Sequence, residues 1–415
     1  MEQISEENIS TIIQDLADAN GHETRVSYTD GNRWAVNYIK ETFESFDGLT
    51  SVTLDTFFAS NATFPFDTEP LFNVVATLEG TVAPSQIYII GGHVDATANL
   101  DNNLNWESDW LTAKAPGADD NATGIAAILE IARVLSDPAN EFDAPVTIKF
   151  VAFGAEERHP AYDNRNHLGS RHFVQQSYSH GDDILGAYIL DMIGHNSTGH
   201  DYFNIVSDTR SKELGEKMLE VNSVYQVGLS SNQPPFPEAT YSDHDQFWLY
   251  RYKAILLIEN APPWQNNPPW YAANPFYHRR TDTFATLNVS QVTKLAKLTL
   301  STVASLSGVV TSVETPREEV RPPQTFTLLQ NYPNPFNAGT LIRYRLHSNG
   351  NVKLSIYNLQ GQEVINLVDQ LQPAGEYSLV WNGKDAQGQN LSSGMYLYSL
   401  KVGDRRSVKK MILSK

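Results

Sequence analysis

Four short stretches of this 415-residue chain carry side chains able to hold a cation or move a proton. They are His93-Val94-Asp95, the adjacent pair Asp119-Asp120, the adjacent pair Glu156-Glu157, and Asp191. Paired carboxylates gathered in one place repel one another unless a cation neutralises them. A histidine two residues before an aspartate suits the device in which a carboxylate orients a metal-bound imidazole. The chain has no cysteine, so disulfides and thiolate ligands are excluded, and any metal must be held by His, Asp and Glu. Singly, each stretch has a plainer explanation: a strand-end histidine bonded to backbone, a capped turn, a solvated acidic loop, a helix cap. Metal chemistry requires that the fold bring them together.

The surrounding pattern predicts that it does. Residues 86–90 form a short, almost wholly apolar run, suited to a strand buried on both faces, and it ends at Gly91-Gly92-His93. The run 146–153 ends at Gly154-Ala155-Glu156-Glu157, 185–190 ends at Asp191, and 253–258 ends at Glu259-Asn260. Apolar residues recur at helical spacing over 6–17 and 32–46, and 51–59 and 71–78 read as strands. Further helices are expected over 125–135, 211–224 and 289–306, the first of them capped by Asp120 or Asn121. Strands alternating with helices predict an α/β domain with a mixed, mostly parallel central sheet flanked by helices. Ligand sites in such sheets lie outside the carboxyl ends of the strands. That topology places His93, Asp120, Glu157 and Asp191 at one end of one sheet. Two long loops, 100–115 and 158–167, border the same end, and their Trp, Tyr, His and Arg residues are expected to line a substrate pocket.

Length and charge divide the chain. A chain of 415 residues exceeds what one core usually holds, and 41% hydrophobic content with 11% aromatics supports packed domains. The net charge of −18 argues against binding a nucleic-acid backbone. No apolar stretch is long enough to span a bilayer, so no transmembrane segment is expected. From Pro316 onward there are 12 Lys+Arg against 7 Asp+Glu, whereas the preceding residues carry 18 against 41. The shift falls at the charged, Pro-rich stretch 314–325, which reads as a linker. A catalytic domain is therefore expected over 1–313 and a second domain over 326–415. The latter shows short alternating strands at 341–346, 352–357, 377–381 and 395–402, separated by Gly-containing turns, and reads as a small all-β, immunoglobulin-like sandwich. It contains no cluster of His, Asp and Glu, so catalysis is expected only in the first domain.

The segments Gly92-His93-Val94-Asp95, 116–124, Ala155-Glu156-Glu157 and Leu190-Asp191-Met192 resemble those of the co-catalytic dizinc peptidases. A fifth family segment, a histidine followed four residues later by Asp-Thr, is matched by His278 with Asp282-Thr283. That family includes secreted bacterial leucyl aminopeptidases, glutamate carboxypeptidases and, as a divergent branch, glutaminyl cyclases. The resemblance spans the chain before the linker, with every motif in order, and implies the zinc exopeptidase fold. It implies two Zn2+ per chain. Asp120 would bridge them, His93 and Asp191 would complete one, and Glu157 and His278 the other. Glu156 would be the general base, Asp95 the partner of His93, and Asp119 no ligand. The implied activity is that of a zinc-dependent exopeptidase acting on peptides, foremost an aminopeptidase, with a carboxypeptidase or a glutaminyl cyclase-like acyltransferase as alternatives. Retention of all five ligands and both glutamates argues against the cyclase branch. The chain departs from the family in having Arg279-Arg280 after the last histidine, where either could pair with a substrate carboxylate. Ser242-Asp243-His244 matches a family segment near the substrate, and the roles of Tyr241, Asp243 and His244 stay open.

In the second domain, the stretches 329–337 (LQNYPNPFN), 356–364, 393–396 and 409–415 resemble the C-terminal sorting domain of the Por (type IX) secretion system. The resemblance implies export across a Gram-negative outer membrane, with the secretion machinery as partner and a secreted or cell-surface destination. A generic carbohydrate- or protein-binding sandwich is the alternative. The first residues lack a basic region followed by an apolar one, so either the protein is not exported or its signal peptide is not present in this sequence. The chain is expected to be monomeric.

Overall fold

The periodicities translate directly into elements. In the first helix, α1 (Glu6–Asp18), Ile9, Ile12, Ile13 and Leu16 fall on one face and are buried, and Ser5 caps the first turn by accepting from the Asn8 amide. In α2 (Asp30–Glu44) the buried face carries Ala35, Val36, Ile39 and Phe43, with Thr29 as cap. The structure is a computed structural model that describes residues 1–59, 62–162, 166–196, 198–232, 234, 239–307, 326–328, 331, 336–337, 339–346, 349–358, 361–373, 375–403 and 405–414. The chain divides into two compact units, Met1–Ser312 and Val313–Lys415. The linker expected at 314–325 lies outside the described residues.

The first unit continues with β1 (Ser51–Phe57), β2 (Leu71–Leu78), β3 (Ala83–His93), a short α3 (Trp106–Asp109), α4 (Gly124–Ser136) and β4 (Val146–Phe153). Then come α5 (Leu168–His180), β5 (Asp183–Leu190), β6 (Tyr202–Ser207), α6 (Lys212–Val224), β7 (Ser230–Ser231), α7 (His244–Leu249), β8 (Ala254–Ile258) and α8 (Val289–Ser307). The strands form one eight-stranded sheet in the order β1-β2-β4-β3-β5-β8-β6-β7. Its four central strands, β4, β3, β5 and β8, run parallel; β1, β2 and β6 pair antiparallel at the flanks. These four are the apolar runs whose ends carry the acidic and histidine residues. Being buried on both faces, they read as continuous rather than alternating apolar sequence. One face is covered by α1, α2, α4, α6 and α8, the other by α5 and α7. From β3 the chain crosses to β4 on one side and then to β5 on the other, so the carboxyl end of β3 is a topological switch point.

The second unit is all β. Its strands are β9 (Phe326–Leu328), β10 (Thr340–Leu346), β11 (Gly350–Tyr357), β12 (Glu363–Gln372), β13 (Gly375–Trp381), β14 (Gly394–Val402) and β15 (Arg405–Leu413). They make two sheets, β13-β10-β9 and β12-β11-β14-β15, around a core that includes Trp381, Tyr344, Tyr398, Leu354 and Met411. β12 and β15 were not foreseen. They lie at the two edges of their sheet, where the outer side of β15 bonds to Phe336, and polar residues such as Asn366, Asp369 and Lys410 interrupt the apolar alternation. The basic stretch around Arg406 and Lys409 is thus the edge strand β15, paired with β14 over nine residues.

Each unit encloses its own apolar core, so a chain ending at Thr315 should unfold in one cooperative transition and retain its metal. Calorimetry with metal analysis checks this; aggregation or metal loss on truncation would show that the units depend on each other.

Candidate metal centre

The side chains at the ends of the central strands converge. His93 ends β3, and its Nε2 lies 3.2 Å from Asp120 Oδ1 and 3.2 Å from Asp191 Oδ1. His278 points its Nε2 to within 3.1 Å of Asp120 Oδ2 and 3.3 Å of Glu157 Oε1. Asp120 therefore turns one carboxylate oxygen to each histidine. The result is two ligand groups, His93/Asp120/Asp191 and Asp120/Glu157/His278, in each of which the candidate atoms lie within 4.8 Å of one another. Both imidazoles are oriented from behind. His93 Nδ1 sits 3.1 Å from the Asp95 carbonyl oxygen, and His278 Nδ1 sits 3.0 Å from Asn99 Oδ1. Those acceptors take the Nδ1 proton and leave Nε2 as the ligating atom.

The donor set fits two divalent cations. It is made of imidazole nitrogen and carboxylate oxygen, which suit zinc. Among the described residues, buried Glu157 Oε1 is approached by no hydrogen-bond donor apart from the other ligand nitrogen, His278 Nε2, although polar atoms in interiors are nearly always paired. Burial pushes Glu156 up to about 8 and Glu157 up to about 7. Burial opposes charge on His278 too, but Glu157 and Asp120 outweigh it and hold the ring up at about 10. The pocket thus attracts positive charge strongly.

Glu156 belongs to neither ligand group. It lines the cleft beside Asp120, Glu157 and Asp191, which leaves it free to exchange protons. The cleft has a volume of about 510 Å3, and Leu100, Met192, Ile258, Tyr241, Trp264 and Tyr277 contribute apolar and aromatic wall. Tyr241 and Trp264 stack edge-on, 5.4 Å between centroids.

Each acidic pair is held by a second carboxylate beneath it. Asp95 accepts from the amides of Glu156 at 2.9 Å and Glu157 at 3.1 Å. Asp282 accepts from the amides of Asp119 at 2.9 Å and Asp120 at 3.1 Å. The expected service of the Asp95 carboxylate to His93 is thereby corrected: its Oδ1 is 3.8 Å from His93 Nδ1. Asp95 orients His93 through its main-chain carbonyl because its carboxylate is engaged by the two amides. Asp119, as expected, is in neither ligand group. Its Oδ1 accepts from Gly194 N at 2.8 Å and its Oδ2 from Asn274 Nδ2 at 3.0 Å. Glu259, which ends β8, faces it and accepts from Tyr271 Oη at 2.7 Å and His195 N at 2.7 Å. The fourth acidic strand end therefore supports the site and is not a ligand. Asn121 caps α4, its Oδ1 taking the Gly124 amide at 2.9 Å, and its Nδ2 donates to Leu190 O at 2.8 Å. A Cβ on Gly124 would stand 2.4 Å from that same carbonyl, so only glycine lets β5 approach so closely.

Other expectations resolve differently. Trp106, Trp110, His159 and Tyr162 do not line the cleft; they are buried against Tyr28 in a separate cluster, with Trp110 and His159 rings 4.2 Å apart. Large rings gain more by burying their area together than by standing in water. Among the described residues, only Leu100 from the first loop, and Arg158 and Asn166 from the second, reach the cleft. Arg279 donates to the Leu100 carbonyl at 2.7 Å and Arg280 pairs with Asp101 at 3.0 Å, so neither faces a substrate. Asp243 and His244 are fully buried behind the cleft, with His244 Nε2 2.9 Å from Ala239 O.

Sequence reasoning missed Arg25. Fully buried, it donates to the carbonyls of Val94 at 2.9 Å, Leu16 at 3.0 Å and Gly117 at 2.8 Å, and also to that of Pro116. It joins α1, the end of β3 and the loop before Asp119. Nothing in its neighbourhood along the chain signals this, because all four acceptors are main-chain atoms.

Residues 73–303 match the profile of peptidase family M28, and residues 338–405 match that of an FlgD Ig-like domain. The chain belongs to peptidase family M28, whose zinc metallopeptidase character agrees with the donor set described above. It is 26% identical over 262 residues to a probable zinc metalloprotease of Phaeosphaeria nodorum, covering 56% of this chain and 48% of that one. It is 27% identical over 243 residues to leucine aminopeptidase 1 of Ajellomyces capsulatus, covering 57% and 56%. The chain spans about half the length of the curated relatives it matches. Among solved structures, the glutaminyl cyclase of Porphyromonas gingivalis shares the fold, with a TM-score of 0.57, 18% identity, and 73% and 99% of the two chains covered.

Replacing Arg25 with Leu should destabilise the first unit by more than about 3 kcal/mol, since four buried carbonyls lose their donor and nearby carboxylates lose a counter-charge. Denaturant unfolding of the variant measures this; a loss under about 1 kcal/mol would mean that water satisfies those carbonyls instead.

Proposed function

We propose that this chain is a zinc-dependent exopeptidase that removes N-terminal residues from peptides, and that its C-terminal domain directs it outside the cell. The observation that carries the catalytic reading is Asp120, which presents one oxygen to each of two ligand groups while Glu156 stands in neither. His93, Asp120 and Asp191 would hold one zinc, and Asp120, Glu157 and His278 the other. Zinc held there would supply Lewis-acid polarisation of the scissile carbonyl and acidify the attacking water. Glu156 takes a proton from that water and passes it to the leaving amine. Two zinc ions would offset the four carboxylates of the cleft floor, so the preference for the amino end is drawn from the likeness to leucine aminopeptidase 1. Arg279 and Arg280 are engaged elsewhere, which leaves Arg158 as a cation lining the cleft. The apolar wall around Met192 and Ile258 receives the side chain of the first residue.

A glutaminyl cyclase is the second reading, favoured by the structural likeness. Full ligand sets for two metals, with both glutamates in place, support the peptidase instead. The proposal of export rests on the resemblance of the C-terminal segments to the type IX sorting domain. The match to an Ig-like domain is compatible with it.

Chelation should abolish hydrolysis of aminoacyl-nitroanilides, and Zn2+ should restore it; full activity in chain shown to be free of metal would sink the mechanism. Glu156→Ala should retain two zincs yet lose about 10²–10⁴-fold in kcat, the range for general acid–base catalysis, with little change in KM. Glu157→Ala should instead bind one zinc weakly. Zinc stoichiometry and steady-state kinetics on both variants decide it, and the reverse pattern would exchange the two roles. Conversion of N-terminal glutamine to a cyclic product by a chain holding one zinc would favour the cyclase.

A further inference from the structure

The loop 158–167 leaves the site after Glu157, and its last residue comes back to it. His167 is 3% exposed, and its ring lies between carboxylates from two different elements. Nε2 is 2.9 Å from Glu156 Oε1, and Nδ1 is 3.2 Å from Asp245 Oδ1 in the first turn of α7. Ionised carboxylates only accept hydrogen bonds, so both ring nitrogens donate. Asn166 Nδ2 lies 2.9 Å from the same Nε2; with the ring as donor, the amide must be turned over so that its oxygen meets this proton. The main chain repeats the contact: His167 N donates to Glu156 O at 2.8 Å, Leu168 N to Ala155 O at 2.9 Å, and Gly169 N to Gly154 O at 3.0 Å. These bonds zip the neck of the loop.

To make them, His167 adopts φ +54°, a left-handed setting with a steric cost for any residue bearing a Cβ. Asp245 is held in turn by Gln246 Nε2 at 2.6 Å, and Gln246 Oε1 accepts from Arg171 Nε at 3.1 Å. The chain Glu156–His167–Asp245–Gln246–Arg171 therefore ties the end of β4 to α5 and α7. Neither His167 nor Asp245 belongs to a ligand group or lines the cleft. Replacing a buried ionic triad with apolar side chains of the same volume is often neutral or stabilising. Packing alone does not account for it.

We propose that His167 is a positioning residue for the general base: its Nε2–H fixes one oxygen of Glu156, leaving the other to face the cleft, while Asp245 fixes the ring. The inference rests on the reading of Glu156 as the base. A carboxylate on a two-methylene stem visits several rotamers, and proton transfer needs one of them. His167 selects it without touching substrate.

The test uses the full chain and two independent readouts. In histidine-labelled protein, the imidazole N–H resonances of His167 are assigned by their loss in His167→Gln. Glu156→Gln should shift the Nε2–H resonance and Asp245→Asn the Nδ1–H resonance; resonances unmoved by these changes would overturn the clamp. Kinetically, His167→Ala should lower kcat by about 10–100-fold, the scale of a small misplacement of a reacting group, with KM and zinc content unchanged. Made in a Glu156→Ala background, the same change should cost less than about 2-fold, because it acts through a group already absent. His167→Gln, which keeps a donor, should recover part of the loss. Equal losses in both backgrounds would make His167 merely structural and overturn the proposal. Should His167→Ala fail to fold, Asp245→Asn takes its place in the cycle. A wild type that turns over no aminoacyl substrate overturns the aminopeptidase reading, while the resonances still decide the clamp.

Discussion

Beneath each acidic pair of the site, one buried carboxylate accepts from two consecutive amides: Asp282 from Asp119 and Asp120, Asp95 from Glu156 and Glu157. Consecutive amides can converge on one acceptor only where the backbone turns, and a turning backbone sends the two side chains apart. This is how neighbours of like chemistry receive different jobs. Asp119 goes back to Gly194 and Asn274, whereas Asp120 goes forward between the two histidines. Glu157 joins a ligand group and Glu156 stays outside it. Charge-assisted bonds of this kind are stronger than neutral ones, which helps to offset the cost of burying so many carboxylates.

The same carboxylates make the site part of the fold's stability. Desolvation raises Glu156, Glu157 and Asp282 well above the ordinary carboxylate range. Burial likewise depresses Arg25, to about 10, while Asp282, Asp120 and Asp95 oppose the change. Cations that bind the folded chain and not the unfolded one stabilise it by mass action. The four central parallel strands set the frame, because their carboxyl ends deliver His93, Glu156-Glu157, Asp191 and Glu259 side by side. Of the eleven described non-glycine residues with positive φ, four, Ala155, His167, Met192 and His278, lie at the same place. Left-handed turns at non-glycine residues persist where the surrounding contacts over-determine them, and here those contacts are the site's own hydrogen bonds.

Period and residue type along the chain revealed the alternation of strands and helices, the acidic strand ends and the change of character near Pro316. These are local properties. A strand buried on both faces must be apolar throughout, and a helix on the sheet must carry its apolar residues on one face. Residue type also confined any metal to oxygen and nitrogen donors, and motif resemblance picked out the ligand candidates that the structure brings together. Edge strands β12 and β15 escaped notice because their apolar alternation is weak.

Tertiary structure alone decided what the supporting residues do. Asp282 lies 163 residues from the amide it holds, and Arg25 lies 92 from one of its acceptors. No spacing rule links positions so far apart, and main-chain acceptors leave no mark on residue type. The aromatic residues of the two long loops were legible as a group but not in direction, since the same rings suit a pocket wall or a small core. His167 shows the limit most clearly. A histidine ending a loop is unremarkable in sequence, and only the closure of that loop, with α7 packed beside it, sets its ring between Glu156 and Asp245.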